Sequence, residues 1–409
     1  MAVATAGAGE TVVAAAVETD RLNPHVTAVA SPPIPEARAW AARYDGRHGP
    51  AIDLTQAVPG YAPHPELARR LGEAAGDRAS FGYGEIVGDQ ALREAYAAEL
   101  NASYRGDVRA SEVAITSGAN LAAFALTMLL ARAGEAVMLP VPWYFNYAMN
   151  CGLLGIEAVP LPCRAEDGFV PDVSEAEKLL TDRVRVIFLI SPNNPTGAVY
   201  PPTTIAAFAD LCRRRGITLV LDETYRDFLP EGEGRPHGLF AGDWRGHVIG
   251  LASFSKSYCV PGFRAGAVVL AEEFVPGFTK ILDCVQICAP RVGQAGLAWG
   301  IGHLGGWRAE NRALMNRRAA ACRAAFAGLA GWRIDALGAY FAYLRHPYSG
   351  VPSARVCEAM AAEHGVLTLP GNAFGPGQED YVRLAFANVD ETRLSNAAGR
   401  LAAMGIGRG

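Results

Sequence analysis

The sequence predicts an α/β protein: a mostly parallel central sheet in a large domain, followed by a smaller α/β domain. Three observations carry this expectation. Six short Val/Ile/Leu-rich runs recur between residues 112 and 271, helical stretches separate several of them, and the character of the chain changes after Gly306. Runs that are apolar throughout suit strands buried on both faces, and their alternation with helices suits crossover connections that keep neighbouring strands parallel.

Taken in order, the chain opens with MAVATAGAGETVVAAAVETD, which has no Lys or Arg ahead of its Ala/Val run and so lacks the charged region of a signal peptide. Residues 1–20 are expected to be a flexible extension, and 21–56 an N-terminal arm plus part of the small domain. The large domain is expected over 57–306. Its strands are EVAIT (112–116), AVMLPV (136–141), VRVIFLIS (184–191), ITLVLD (217–222), VIGLAS (248–253) and AGAVVLA (265–271), with helices at 121–131 and 203–216 among them. The small domain is expected over 307–409, opening on an arginine-rich helix at 307–329 and continuing through GAYFAYLRHP, GVLTLPG and YVRLAFA.

Composition narrows the function classes. With 409 residues, 50% hydrophobic and 19% charged, the chain can bury a large core. A net charge of -4 offers no basic face for nucleic acid or an anionic membrane, so small molecules are the expected partners. The run LAAFALTMLLA (121–131) is too short to span a bilayer, and a cytoplasmic location is expected. The eight cysteines show no CxxC or metal-finger spacing and are read as reduced and mostly buried; Cys284 and Cys288 could share a helix face, in a structural core role rather than as metal ligands.

Ligands of parallel sheets sit beyond the carboxyl ends of the strands, so the residues after each strand carry the chemistry. The first strand runs through Ser117-Gly118-Ala119-Asn120 straight into a helix, which aims free N–H groups and a positive dipole at one point. Many such turns bind nothing. SPNNPTG (191–197) follows the third run and supplies the amide of Asn194; DETYRDF follows the fourth and places Asp222 and Tyr225 at the same edge. A carboxylate ending an apolar strand is costly to bury alone, so something positive is expected to face Asp222. The fifth strand ends in SFSKSYCVPGFRAG (253–266). The chain has only three lysines, Lys178, Lys256 and Lys280, and writes nearly every other cation as arginine. A lysine placed here points to a need for a primary amine: a desolvated lysine can act as nucleophile or base, and arginine can do neither. Ser253 and Ser255 flank Lys256, and Arg264 offers a planar fork for phosphate.

One ligand class satisfies these groups: a phosphorylated aromatic aldehyde with a ring nitrogen, which is pyridoxal 5'-phosphate. From about residue 50 to the C-terminus the chain resembles the class I/II aminotransferases of pyridoxal-phosphate fold type I, carrying SGAN, SPNNPTG, DETY, SFSKSYCVPGFRAG and YVRLAFA in the family's order. Cys259 stands where the family usually has a smaller or aliphatic residue. The resemblance implies that Lys256 holds the cofactor as an imine and shuttles the substrate proton, that Asp222 keeps the ring nitrogen protonated, and that Asn194 and Tyr225 bond the ring oxygen. It gives the phosphate to the backbone of Ala119 and Asn120 and to Ser253, Ser255 and Arg264. It makes 57–306 the cofactor-binding domain. Tyr144 is the implied stacking ring, with Trp143 its competitor. Tyr83, in FGYGEIVGD, matches a tyrosine that reaches the phosphate across a homodimer interface, and Arg383 the arginine that grips the substrate α-carboxylate. Ala57, where glycine is usual, falls in the loop that closes over substrate. Arg291 could receive an acidic side chain or be structural, and Tyr61, Tyr144 and Tyr340 could instead line an aromatic or neutral pocket. The implied activity is transfer of an amino group from an L-amino acid to a 2-oxo acid such as 2-oxoglutarate, in a ping-pong cycle. C–S lyases, eliminating enzymes and cyclising enzymes share the same motifs. Cofactor-sensing regulators carry a DNA-binding domain for which residues 1–50 are too short and insufficiently basic.

Overall fold

The protein is described by a computed structural model covering residues 21–405; the expected 1–20 extension lies outside the described residues. A short strand, β1 (Ile52–Asp53), precedes the main sheet. That sheet contains β2 (Val113–Thr116), β3 (Ala136–Val141), β4 (Glu157–Pro162), β5 (Val184–Ile190), β6 (Thr218–Asp222), β7 (Val248–Ser253) and β8 (Gly266–Val269). Its order is β2-β8-β7-β6-β5-β3-β4, parallel throughout except for β8, which runs antiparallel to both neighbours.

All six expected strands form, and the interior ones are apolar because both faces are covered. In β5, Val186, Phe188 and Ile190 pack into one core layer while Ile187 and Leu189 pack into the other. The seventh strand, β4, went unseen in the sequence. It lies at the sheet edge and, of its six residues, only Leu161 is fully buried, so it carries no all-apolar signature. The expected helices form as Ala119–Leu130 and Pro202–Arg215, the latter ending on Gly216 in the left-handed conformation that glycine adopts without strain.

Beyond the main sheet, β9 (Arg333–Gly338), β10 (Phe341–Arg345), β12 (Leu369–Pro370) and β13 (Tyr381–Ala385) form an antiparallel sheet in the order β12-β13-β10-β9, and β11 (Val366–Leu367) pairs in parallel with β1. Its core joins Leu54 to Phe326, Leu344, Val356 and Leu384. The helix expected at 307–329 spans Gly305–Ala327 and connects the two regions: Met315 packs with Tyr225 and Phe341 between them, and Cys322 and Phe326 enter the second core. Cys284 and Cys288 do not share a helix. The helix Val275–Gln286 ends before Cys288, with Ile287 at positive φ, and Cys284 is exposed. Among the described residues no helix is long and apolar enough to cross a membrane.

Candidate active site

The carboxyl ends of β2, β5, β6 and β7 open into a cavity of about 280 Å³, closed on the far side by the 55–58 loop and by Arg383. Its floor is set by β7. Ser253 ends the strand and caps the one-turn helix Phe254–Ser257, accepting the Ser255 N–H at 3.2 Å, and this turn lifts Lys256 into the cavity. The Lys256 ammonium donates to the Ala57 carbonyl. Burial, and next the positive charges of Arg264 and Arg383, lower its pKa to about 8, which brings the neutral amine within reach near neutrality.

Beside it, Asp222 ends β6 and is buried, accepting the Tyr147 hydroxyl at one oxygen and the Thr224 N–H, at 2.8 Å, at the other. Burial pushes its carboxyl above the usual range, against the pull of those bonds. Among the described residues no basic side chain forms an ion pair with Asp222, so the cation expected to face it is not found there. Sequence reasoning missed Tyr147. It sits three residues after Tyr144 on the helix Phe145–Leu153, and that spacing on one helix face is the signal that could have found it.

At one end of the cavity, β2 passes through Ser117 and Gly118 into the helix that starts at Ala119. Gly118 has φ +88° and ψ 163°, a backbone conformation that favours glycine, and the tip of the Arg264 side chain lies over it. Arg264 is exposed and bonds only carbonyls, Pro261 at 3.1 Å and Ser117 at 3.5 Å. Ala119, Asn120, Ser253, Ser255 and Arg264 therefore converge, and Asn120 accepts the Tyr144 hydroxyl at 3.3 Å. Tyr144 lines the cavity. Trp143 does not: its ring packs against Gly375 and its backbone N–H bonds the Phe374 carbonyl, which removes it as the stacking candidate.

At the other end, Arg383 projects from β13 and is 3% exposed. It bonds Asn194 Oδ1 at 3.2 Å and the Thr55 carbonyl, lies over the rings of Phe341 and Phe374, and leaves Nε without a partner. Burial lowers its pKa to about 10, and no carboxylate of the described residues pairs with it. Tyr225 is buried on the same wall, edge-on to Phe341. Thr55, Gln56 and Val58, in the stretch 53–65 that the resemblance implies closes over substrate, also line the cavity, as does Ile34, which did not stand out in the sequence because it is an ordinary residue brought there by chain path alone.

Other expectations place differently. Tyr61 and Tyr340 are not on the cavity wall. Tyr340 is fully buried among Tyr225 and Phe228, and Tyr61 turns its ring edge-on to Trp307. Tyr83 is 81% exposed and lies outside the cavity within one chain, and Arg291 beside it is tied to Asp89 and to the Ala79 carbonyl.

The fold and cavity define the class, an α/β enzyme whose cavity lies beyond the carboxyl ends of a parallel sheet and is lined by Arg264 at one end and Arg383 at the other. Within that class, the chain belongs to the aminotransferase class I and II family, whose model matches residues 50–401. It is 28% identical over 358 residues to an aromatic aminotransferase of Arabidopsis thaliana, covering 86% of this chain and 88% of the relative. It is 30% identical over 305 residues to the arginine–pyruvate transaminase of Pseudomonas aeruginosa, covering 74% and 77%. Among solved structures, an aromatic aminotransferase from Pyrococcus horikoshii superposes with a TM-score of 0.81 at 27% identity, covering 86% of this chain and 95% of that one.

Proposed function

We propose that this chain is a pyridoxal 5'-phosphate-dependent aminotransferase that moves an amino group from an L-amino acid to a 2-oxo acid in a ping-pong cycle, working as a cytoplasmic homodimer with shared sites. The observation that carries the cofactor is the presence on one cavity wall of two groups with no counter-ion among the described residues: the amine of Lys256, bonded only to the Ala57 carbonyl and with its pKa lowered to about 8, and the buried carboxylate of Asp222. A pyridinium N–H would supply the missing cation, and the start of the helix at Ala119, with Arg264 over the Gly118 turn, offers N–H groups and a cation for a phosphate.

When bound, that cofactor supplies the carbonyl that carries the amino group and a ring that draws electrons from the substrate Cα. The rest falls to the chain. Ala119, Asn120, Ser253, Ser255 and Arg264 hold the phosphate, Tyr144 covers the ring face, and Asn194 and Tyr225 orient the ring oxygen. Asp222 keeps a proton on the ring nitrogen, and Tyr147 keeps Asp222 in place. Arg383 binds the substrate α-carboxylate through its free edge, assisted by Asn194 and the backbone at Ala57. Lys256 takes the proton from Cα and returns it one position away, its short tether holding the base within reach of both sites. We assign the cofactor-binding domain to 57–306 and the small domain to 307–409 together with part of 21–56. Tyr83 is assigned to the phosphate of a second copy.

The test is a panel of amino donors with 2-oxoglutarate and with pyruvate, following both 2-oxo acid product and cofactor absorbance. Stoichiometric exchange of amino group for oxo acid is expected. Release of ammonia or sulfide in place of exchange would overturn the transaminase reading.

A further inference from the structure

The turn that carries Tyr83 is held at several points, although the tyrosine itself touches little. Arg291, the first residue of the helix Arg291–His303, sets Nε against both oxygens of Asp89 at 3.2 and 3.4 Å and donates Nη1 to the Ala79 carbonyl. Three residues later Gln294, 1% exposed, accepts the Asp89 N–H at 2.7 Å and donates to the Ala289 carbonyl at 3.0 Å. The Gly84 N–H reaches Cys288 Sγ at 3.4 Å, and a Cβ at Gly84 would lie 2.9 Å from Asp89 Oδ1 and 3.0 Å from Arg291 Nε. Both ends of the 79–89 turn are thus fixed, while Phe81 and Tyr83 stand 76% and 81% exposed. Two aromatic rings left in water on a fixed turn are poorly placed for a lone chain and well placed for a second one.

The same stretch also grips the phosphate turn of its own chain. Gln286 accepts the Ser117 N–H at 2.8 Å and donates to the Ile115 carbonyl at 3.3 Å, immediately before Gly118.

We propose that residues 286–294 form one bracket that positions two halves of the phosphate site: Gln286 sets the chain's own 117–120 turn, and Arg291 with Gln294 sets Tyr83 for the phosphate held by a second copy. This rests on the assignment of Tyr83 made above. Arg291 is then a positioning residue, and its fork, divided between Asp89 and Ala79, is not the reader of an acidic substrate side chain. A lysine there could meet Asp89 but not hold both partners in one plane.

The test uses the full-length chain freed of cofactor and compares affinity for pyridoxamine 5'-phosphate with affinity for pyridoxamine, a ratio that reads the phosphate contacts. Tyr83→Phe and Arg291→Met should each lower the ratio by about tenfold, the scale of one hydrogen bond to a charged group, and the double variant should lose no more than either alone. Arg291→Lys should keep part of the ratio, and Gln286→Leu should lower it additively with Tyr83→Phe. The relative affinity for succinate and 4-methylvalerate should be the same in Arg291→Met as in the parent. Should Arg291→Met fail to fold, as judged by circular dichroism, Asp89→Asn takes its place with the same expectation. Additive losses in the Tyr83/Arg291 pair, an unchanged ratio in the Arg291 variants, or a selective loss of succinate would overturn the bracket. An unchanged ratio in Tyr83→Phe alone would overturn the Tyr83 assignment, and the bracket with it.

Discussion

The two ends of the cavity, proposed above to hold a phosphate and a carboxylate, present their cations by opposite means. At the end proposed for the phosphate the only formal cation among the described residues, other than Lys256, is Arg264, which is exposed and bonded to carbonyls; the remaining donors are backbone N–H groups at a helix start and two serine hydroxyls. Most of the attraction there is distributed over fixed dipoles, and water is near enough to screen the one charge. At the end proposed for the carboxylate a single guanidinium is buried against two phenylalanine rings, with its pKa lowered to about 10 and no counter-ion among the described residues. That charge is costly until a carboxylate arrives. The first design suits a group that stays, and the second suits one that must be distinguished from ligands lacking it, because a buried unpaired charge penalises every wrong ligand.

The largest effect should come from removing the group between the two ends. Lys256→Ala should lower turnover by about a thousandfold or more, since both nucleophile and proton carrier are lost. The phosphate end should still retain cofactor through gel filtration, and its loss would show that the lysine, not the turn, holds it. Next, Arg383→Lys should depress kcat/KM for α-amino acids by an amount bounded by the roughly 2–5 kcal/mol lost when one partner of a buried pair is truncated. Amines without a carboxylate should be little affected and cofactor binding unchanged. Equal losses on both substrate types would mean that Arg383 is structural and would break the comparison.

At the other end Arg264→Ala should be milder, weakening cofactor binding by about tenfold or less, because an exposed charge contributes little beyond its neighbours. Dissociation constants for cofactor and KM for donor separate the two ends, and a larger effect from Arg264 than from Arg383 would reverse the comparison. The smallest effect is on pH. The neutral amine of Lys256 is the nucleophile, so the rate at which the cofactor-free chain captures pyridoxal phosphate should rise with pH through about 8. Arg264 is among the charges that lower that value, so Arg264→Ala should move the midpoint upward, whereas Arg383→Lys keeps its charge and should leave it nearly unmoved. Stopped-flow absorbance across pH 6–10 checks both.

How far each end could be read in advance follows from the same difference. Ser117 to Asn120 are contiguous, and Ser253, Ser255, Lys256 and Arg264 fall within twelve residues, so the phosphate end is written in two short motifs that a strand end makes recognisable. The carboxylate end gathers Thr55, Asn194 and Arg383, which are 139 and 189 residues apart in succession. Arg383 was found there only through its family motif. Tyr147 behind Asp222, the Ile34 wall and the bonds of Gln286 and Arg291 carried no local mark, and Tyr340 was misplaced because an aromatic residue looks the same in a core as on a cavity wall.

By itself the sequence determined the periodicities, and hence six of the seven main-sheet strands and the helices around them, because side-chain burial on both faces of a strand must be written residue by residue into the chain. It also determined the chemistry at each strand end, since lysine, aspartate and glycine are there for properties no other residue supplies. The tertiary structure alone decided which of these ends face one another, which buried groups go without partners, and which tyrosines reach the cavity. Those outcomes depend on the burial and electrostatics created when segments far apart in the chain are packed together, and no local stretch of sequence encodes a desolvation that its distant neighbours impose.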